Sequence, residues 1–200
     1  MGTKIKSPVT KGVARVPVVL QLEALECGAA SLAMVAAYYG KWVTLEKART
    51  DCGVSRDGSS AVNIVKAARS YGFTVNKYKR NPESIRKKGV FPCIIHWNFD
   101  HFVVLNGFRG RYAYINDPAK GAVRIEEEEF DRAFTGVTII IVPGEDFQPD
   151  GKRQSVLYAA VKKLRMTGSA MAVVIAASLI LALLGVTAPV MSGFFIDNLL

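Results

Sequence analysis

The sequence feature that most constrains this chain is an uncharged apolar run near its end. The segment Ser169–Val190 contains 22 residues and no charged side chain. A helix of about 20 apolar residues crosses the ~30 Å hydrocarbon core of a bilayer, whereas a helix buried in a globular core usually carries a polar stripe. The run therefore predicts one transmembrane helix, and a buried core helix is the alternative.

Basic residues directly precede this run, at Lys162, Lys163 and Arg165. The positive-inside rule places the part of the chain before them in the cytoplasm. No signal peptide is expected, because the N-terminus has no long apolar run before its first charges. The sequence ends at Leu200, soon after the predicted span, so we expect a fragment of a longer membrane protein.

Charge and cysteine content narrow the class of the part before the span. Half of the 200 residues are hydrophobic, which permits a packed core and excludes disorder. A net charge of +9 permits acidic peptides, lipid surfaces or nucleic acid as partners, but the charge is scattered and no nucleic-acid motif occurs, so nucleic acid is not expected. Three cysteines without a CxxC pattern argue against both a disulfide framework and a structural zinc site, and favour a reducing compartment.

Helical patterns dominate the first half of this part and strand patterns the second half. Apolar spacing and capping residues predict helices over residues 27–39, 44–51, 61–71, 82–88 and 126–134. Alternating or β-branched runs predict strands over 73–78, 91–97, 101–108, 111–116, 122–125 and 137–142. Helices followed by an antiparallel sheet predict an α+β fold, with N-terminal helices packed on that sheet.

The same patterns divide the chain into four parts. Residues 1–15 are expected to form a flexible N-terminus and residues 16–143 the folded domain. Residues 144–166 are expected to be a linker followed by a basic amphipathic helix over 152–166. Residues 167–200 are expected to hold the transmembrane helix.

Cys27 is the cysteine best placed to act as a nucleophile. It begins the first predicted helix, where the helix dipole lowers the pKa of a thiol, and Gly28 after it is expected to leave room for a substrate backbone. Cys52 falls at the end of a helix, where the dipole would raise its pKa. Cys93 lies in an apolar strand and is most simply a core residue. A purely structural role is the alternative for Cys27 unless partner residues exist.

The predicted partner of Cys27 is one of the two histidines, His96 and His101. His101 begins a predicted strand, and Asp117 ends the next one. If these strands pair as a hairpin, Asp117 lies beside His101 and can orient its imidazole. His96 has no acidic residue at a comparable position, so His101 is the predicted base. For either histidine, an ordinary core or surface role is the alternative.

Gln21 is the predicted source of an oxyanion donor. A thiolate that attacks a carbonyl group requires hydrogen-bond donors for the developing oxyanion. Gln21 lies six residues before Cys27 among apolar neighbours, and the backbone N–H of Cys27 can supply a second donor. An exposed loop glutamine is the alternative. Gln21, Cys27, His101 and Asp117 follow the chain order of a papain-like cysteine peptidase, and no cofactor-binding or metal-binding residues are predicted.

The segment QLEALECGAA at 21–30, with HFVVL at 101–105 and the pair Asp117-Pro118, resembles the double-glycine leader peptidase family. These peptidases are the N-terminal domains of ABC transporters that process and export bacteriocins and related ribosomal peptides. The resemblance covers about residues 12–143. The basic helix, the apolar span and residues 194–198 resemble the start of the membrane domain of a truncated exporter. Glu26 stands where many members have aspartate.

This resemblance implies a papain-like cysteine peptidase in which Cys27 is the nucleophile, His101 the general base, Asp117 its orienting residue and Gln21 the oxyanion-hole amide. The implied reaction removes the leader from a bacteriocin- or lantibiotic-type precursor peptide after a Gly-Gly or Gly-Ala motif, coupled to export. The leaders of this family are amphipathic helices. Tyr38, Tyr39, Trp97 and Phe99 are possible lining for their groove, with core packing as the alternative.

The resemblance also implies a setting. The protein is expected in the inner or plasma membrane of a bacterium, anchored through residues 169–190, with the peptidase domain cytoplasmic and the full-length transporter a homodimer. No cofactor is expected in these residues. ATP and Mg²⁺ are expected only on a nucleotide-binding domain outside them, because no GxxxxGK[ST] loop occurs in the sequence.

Two other functions fit the same residues. A non-catalytic domain could recruit leaders to the exporter without cutting them, and such a domain needs no activated thiol. A Cys-His-Asp site could instead catalyse acyl transfer, although soluble acyltransferases seldom need a membrane span. The reactivity of Cys27 separates the first alternative from the peptidase.

Overall fold

An antiparallel sheet organises the first part of the chain in the computed structural model, which describes residues 5–56, 58–152 and 168–199. Its six strands are β1 (Phe73–Lys79), β2 (Cys93–Trp97), β3 (His101–Arg109), β4 (Tyr112–Asp117), β5 (Gly121–Glu126) and β6 (Phe134–Pro143). They lie in the order β1-β6-β2-β3-β4-β5, and all neighbours are antiparallel. The predicted antiparallel sheet is therefore confirmed.

Five helices of this part pack on the sheet or on one another. They are α1 (Cys27–Tyr38), α2 (Leu45–Asp51), α3 (Ala61–Ser70), α4 (Pro82–Lys88) and α5 (Glu127–Ala133), with a 3₁₀ turn at Ala24–Glu26 before α1. Helix α1 packs against β2 and β3, α3 against β1 and β6, and α5 against β4, β5 and β6. Helices α2, α3 and α4 each begin with a side-chain N-cap. The side chains of Thr44, Ser60 and Asn81 accept hydrogen bonds from backbone N–H groups in the first turns of these helices.

Helix α1 is buried along its whole length, as its small apolar residues predict. All twelve of its residues are buried, because alanine, glycine and serine side chains allow neighbouring elements to approach from every side. The hydroxyl of Ser31 donates a hydrogen bond of 3.1 Å to the carbonyl oxygen of Phe102 in β3. This contact joins the first turns of α1 to the start of β3.

All six strands differ from their predicted bounds by at least one residue, and the largest differences are at the starts of β2 and β6. Strand β2 begins at Cys93 rather than at Phe91, because Pro92 has no N–H to donate to a ladder. Phe91 instead exchanges backbone hydrogen bonds of 2.7 and 2.8 Å with Val9. Strand β6 begins at Phe134, earlier than the apolar run indicates, since Phe134 pairs with Trp97 beyond an irregularity in the ladder.

Part of the segment expected to be flexible contacts the sheet. Besides the Val9 pairing, Val13 forms a bridge with Gly107, and the N–H of Ala14 donates 2.8 Å to the carbonyl oxygen of Asn106. Gly107 has a φ of +133°, and a Cβ there would clash with the carbonyl oxygen of Gly12. Glycine is required at position 107 because the N-terminal segment crosses β3 closely there.

The chain divides into two units, Met1–Lys152 and Arg153–Leu200. The second unit contains a helix, α6, at Gly168–Leu199. Within the residues that the structure describes, no helix meets the length and apolar character needed to cross a membrane, so the span at 169–190 stays a prediction. The predicted basic helix over 152–166 lies, apart from Lys152, outside the described residues.

Gly28 contributes to packing rather than to room for a substrate. It is buried, and a Cβ at this position would lie 2.7 Å from Cβ of Ser59 and 2.8 Å from Cδ1 of Ile64. The expectation that Gly28 leaves space for a substrate backbone is therefore wrong. Its missing side chain allows α1 to approach the start of α3.

Replacing Gly28 should therefore destabilise the fold. We expect Gly28→Ala to cost about 1–2 kcal/mol, since overpacking typically costs about 1–3 kcal/mol and the helix propensity of alanine recovers less than about 1 kcal/mol. Urea unfolding followed by circular dichroism measures this change. Ile64→Val removes Cδ1, so the cost of Gly28→Ala should be smaller in that background. An equal cost in both backgrounds would contradict the packing argument.

Candidate active site

The site begins at Cys27, the first residue of α1. The thiol is buried. Burial raises its pKa, but a hydrogen bond with His101 and hydrogen bonds from the backbone at Phe102 and Gly28 lower it, and the net shift of the pKa is downward. The start of β3 therefore supplies both a ring nitrogen and a backbone N–H to the sulfur.

His101 lies between Cys27 and Asp117. Its Nε2 is 2.8 Å from Oδ1 of Asp117, which leaves Nδ1 as the ring nitrogen for the hydrogen bond with Cys27. Burial lowers the pKa of His101, but hydrogen bonds with Cys27 and Asp117 raise it to about 9. Because the thiol shifts downward and the imidazole upward, the pair favours a thiolate and an imidazolium.

Asp117 occupies a fixed position at the end of β4. Pairing of β3 with β4 brings this end of β4 to the start of β3, as the predicted hairpin requires. Oδ1 of Asp117 also accepts a hydrogen bond of 2.8 Å from the N–H of Ala119. The backbone carbonyl oxygen of Asp117 accepts a hydrogen bond from the N–H of Lys120. These bonds hold the carboxylate in the turn after β4, where it can orient the imidazole.

Gln21 lies against the same turn. Its backbone N–H donates 2.9 Å to the carbonyl oxygen of Pro118, the residue after Asp117. Its side-chain Oε1 is buried without a hydrogen-bond partner among the described residues. The structure therefore brings Cys27, His101 and Asp117 into direct contact, and Gln21 to the turn that carries Asp117.

Glu26 organises the segment between Gln21 and Cys27, a role that the sequence analysis missed. Its side chain is 2% exposed, and its Oε2 accepts the N–H groups of Leu22 and Glu23 at 2.9 and 3.1 Å. Its Oε1 is 3.0 Å from Nη1 of Arg49. The three-residue spacing of Glu23 and Glu26, which is typical of a capping box, could have predicted this role of Glu26. No local sequence pattern indicates that Arg49, in α2, is its partner.

The other thiols and the second histidine lie in environments that do not activate them. Burial raises the pKa of Cys52 to about 12, with a further contribution from Asp51, and burial raises the pKa of Cys93 to about 12. Burial lowers the pKa of His96. Nδ1 of His96 lies 3.1 Å from the Thr135 hydroxyl, which itself donates to the His96 carbonyl oxygen.

The aromatic residues predicted as groove lining divide into two groups. Tyr38, Tyr39 and Trp97 are buried, so they serve the core. Phe99, two residues before His101, is 80% exposed and has a φ of +65°. A bulky side chain with positive φ is uncommon and costs free energy. The turn between β2 and β3 therefore holds an aromatic ring in solvent close to His101.

The arrangement fits nucleophilic attack on a carbonyl group. It combines a thiol of lowered pKa, an imidazole in contact with it and a carboxylate that orients the imidazole. Among the described residues, no group of histidine, cysteine, aspartate and glutamate is arranged to hold a metal ion.

Comparison with known proteins identifies relatives of the first unit. The model of the Peptidase C39 family matches residues 15–146. The colicin V secretion/processing ATP-binding protein CvaB of Escherichia coli is 37% identical over 136 residues, 68% of this chain and 19% of CvaB. The transport/processing ATP-binding protein ComA of Streptococcus pneumoniae is 27% identical over 173 residues, 83% of this chain and 24% of ComA. The chain thus spans about a fifth of the length of these curated relatives.

Solved structures share this fold. A double glycine motif protease from an AMS/PCAT transporter, crystallised with the leader peptide, is 67% identical with a TM-score of 0.68. The match covers 69% of this chain and 99% of that protease. The peptidase domain of Streptococcus ComA is 27% identical with a TM-score of 0.60, and the match covers 65% of this chain and 98% of that domain. The α+β fold of the first unit is that of these peptidases.

The opposite pKa shifts predict how Cys27 reactivity depends on pH. Asp117→Asn should lower the pKa of His101 below about 9 and thereby raise the pKa of Cys27, because the imidazolium that stabilises the thiolate is itself less stabilised. The midpoint of iodoacetamide alkylation should move to higher pH, as measured by mass spectrometry of the peptide that contains Cys27. Asp100→Asn is the matched control and should leave the midpoint in place. Equal shifts in the two variants would contradict the role of the Asp117 contact.

Proposed function

This chain belongs to the peptidase C39 family, and we propose that its first unit is a cysteine endopeptidase that removes the leader of a ribosomal precursor peptide. Cleavage follows a Gly-Gly or Gly-Ala motif. One observation carries the proposal: the contact of Cys27 with His101, whose other ring nitrogen lies 2.8 Å from Asp117.

In the proposed reaction, the Cys27 thiolate attacks the carbonyl carbon of the bond after the second small residue, and a C–S bond forms. The amide side chain of Gln21 and the backbone N–H of Cys27 donate to the oxyanion. When the C–N bond breaks, His101 gives its proton to the leaving amine. His101 then acts as general base for a water molecule that attacks the thioester, and the thiolate is released. Asp117 orients the imidazole in both steps.

Exposed apolar side chains around the site support an amphipathic leader as the substrate. Leu20 and Leu22 flank Gln21, Leu25 lies two residues before Cys27, and Phe99 lies two residues before His101. All four are exposed, Leu22 to 87%. An amphipathic helix binds through its apolar face, and the related double glycine motif protease was crystallised with its leader peptide.

We further propose that this chain is part of an ABC exporter in the inner or plasma membrane of a bacterium. The relatives CvaB and ComA, which extend well beyond the matched region, are named as secretion or transport ATP-binding proteins. The peptidase domain would face the cytoplasm, residues 169–190 would anchor the chain, and the exporter would form a homodimer. ATP and Mg²⁺ would bind a nucleotide-binding domain outside these residues, and the peptidase itself would need no cofactor.

The test is cleavage of a precursor peptide with a Gly-Gly leader. The whole chain, in detergent and under reducing conditions, should make one cut after the second glycine, identified by mass spectrometry. Cys27→Ala should abolish the cut and keep leader binding, because it removes the nucleophile and little of the binding surface. Binding without cleavage by the unsubstituted chain would instead support a recruitment domain.

The two histidines provide a matched pair in the same assay. His101→Ala should abolish cleavage, since it removes the group that contacts both Cys27 and Asp117. His96→Ala should retain cleavage, because His96 contacts Thr135 rather than the thiol. The reverse result would assign the base to His96.

Gln21→Ala should lower kcat by roughly 10²–10³-fold with little change in KM. This is the usual cost of removing one oxyanion donor, which acts in the transition state and not on the bound substrate. Steady-state kinetics on the same peptide measure both constants. A change confined to KM would move Gln21 from catalysis to substrate binding.

A further inference from the structure

The segment 21–27, which joins the predicted oxyanion donor to the nucleophile, is held by hydrogen bonds rather than by packing. The side chains of residues 22–25 are all exposed, so they add little to the core. The backbone N–H groups of Leu22 and Glu23 nevertheless donate to one oxygen, Oε2 of Glu26, at 2.9 and 3.1 Å. A single buried carboxylate therefore fixes two consecutive peptide groups of an otherwise exposed turn.

Arg49 contacts both acidic residues of this turn. Its Nη1 lies 3.0 Å from Oε1 of Glu26, and its Nη2 lies 3.5 Å from Oε2 of Glu23. The two oxygens of Glu26 thus have different partners, because Oε2 accepts the backbone N–H groups and Oε1 faces the guanidinium. A planar guanidinium presents its donors in a fixed fork, so one side chain can bind both carboxylates. Arg49 belongs to α2, which packs against α1.

The carboxylate of Glu26 depends on this guanidinium because it is removed from water. The side chain of Glu26 is 2% exposed, and within the described part of the chain Arg49 is the cation that pairs with it. A buried carboxylate that loses its partner is strongly destabilised, so it would turn toward water and release the N–H groups of Leu22 and Glu23. Water can bind those groups in its place, since the side chains beside them are exposed.

We propose that Arg49 is a positioning residue for the reaction, and that it acts through Glu26 to hold the amide of Gln21 at the oxyanion. The inference rests on the proposed function, because it requires an oxyanion at Cys27. The N–H of Gln21 donates 2.9 Å to the carbonyl oxygen of Pro118, and the next N–H is bound by Glu26. The backbone that carries the amide is therefore tied on both sides. A displacement of about 1 Å removes much of the effect of a catalytic donor.

The first test separates catalysis from substrate binding. Arg49→Met removes the guanidinium and keeps the aliphatic chain, and it should lower kcat roughly tenfold, less than the roughly 10²–10³-fold loss expected from removing the Gln21 amide. KM should change by less than about twofold, because the oxyanion forms only after the peptide has bound. Arg49→Lys should lose less, since it keeps a cation beside Glu26. Steady-state kinetics on the Gly-Gly precursor peptide measure both constants.

Lys47→Met is the matched control. It also removes a cation from α2, but Lys47 pairs with Asp51 at 3.0 Å and not with the turn before Cys27, so kcat and KM should both stay unchanged. Urea unfolding followed by circular dichroism shows whether each variant is folded under the assay conditions. An equal loss of kcat in Lys47→Met and Arg49→Met would mean that a weakened α2, rather than the lost contact with Glu26, lowers the rate.

A double-mutant cycle with Gln21→Ala tests the route of the effect. If Arg49 acts by placing the Gln21 amide, Arg49→Met should cost about twofold or less in the Gln21→Ala background, because no amide remains to be misplaced. A general weakening of the site would lower kcat alike in both backgrounds. An equal loss in the two backgrounds would therefore overturn the inference.

Hydrogen exchange tests the positioning independently of cleavage. In Arg49→Met, a peptide that spans Leu22 and Glu23 should exchange faster than in the unsubstituted chain, as measured by mass spectrometry, whereas Lys47→Met should leave its exchange unchanged. Unchanged exchange in Arg49→Met would contradict the inference whatever the enzyme does. If the unsubstituted chain makes no cut, the proposed function fails and the catalytic part of the inference fails with it, while the exchange result still shows whether Arg49 holds the segment.

Discussion

The contact between the buried helix α1 and the start of β3 is the constraint on which the site depends. Cys27 and His101 belong to different elements, so their separation is set by how these elements pack. Phe102 joins them twice: its backbone N–H hydrogen-bonds the thiol of Cys27, and its carbonyl oxygen accepts from the hydroxyl of Ser31, one helical turn further along α1. Close approach requires the small side chains of α1, and Gly28 in particular, which has no room for a Cβ.

Burial and hydrogen bonding oppose each other at the thiol, and hydrogen bonding prevails. Desolvation is the largest single effect on Cys27, and it favours the neutral thiol. At Cys93, with burial and no comparable donors, the pKa rises to about 12. Cys27 differs because His101 and two backbone groups surround its sulfur. The nearby buried carboxylate of Glu26 would oppose a thiolate, but Arg49 lies 3.0 Å from that carboxylate and offsets its charge.

Sequence patterns predicted the parts of this structure that are set by residues close together in the sequence. The apolar composition of α1 predicts its burial, and the spacing of two strands places Asp117 beside His101. Patterns failed where distant segments meet. Gly28 was expected to face a substrate because a sequence does not state which element approaches a glycine. The Glu26–Arg49 pair joins residues 23 positions apart on different helices, and no periodicity relates them.

A peptidase that reads only two small residues beside the cut bond must also recognise other parts of its substrate. A narrow cleft rejects large side chains beside the cut bond, but it accepts every sequence that contains two glycines. Further discrimination must come from residues outside that motif. The structure offers one such surface in the exposed apolar side chains that flank the site residues, such as Leu22 beside Gln21 and Phe99 two residues before His101. An apolar contact tolerates many aliphatic side chains, so it distinguishes an amphipathic helix from a polar segment but not one leader sequence from another. In the proposed reaction, the apolar surface therefore supplies affinity for leaders as a class, and the two small residues fix the position of the cut.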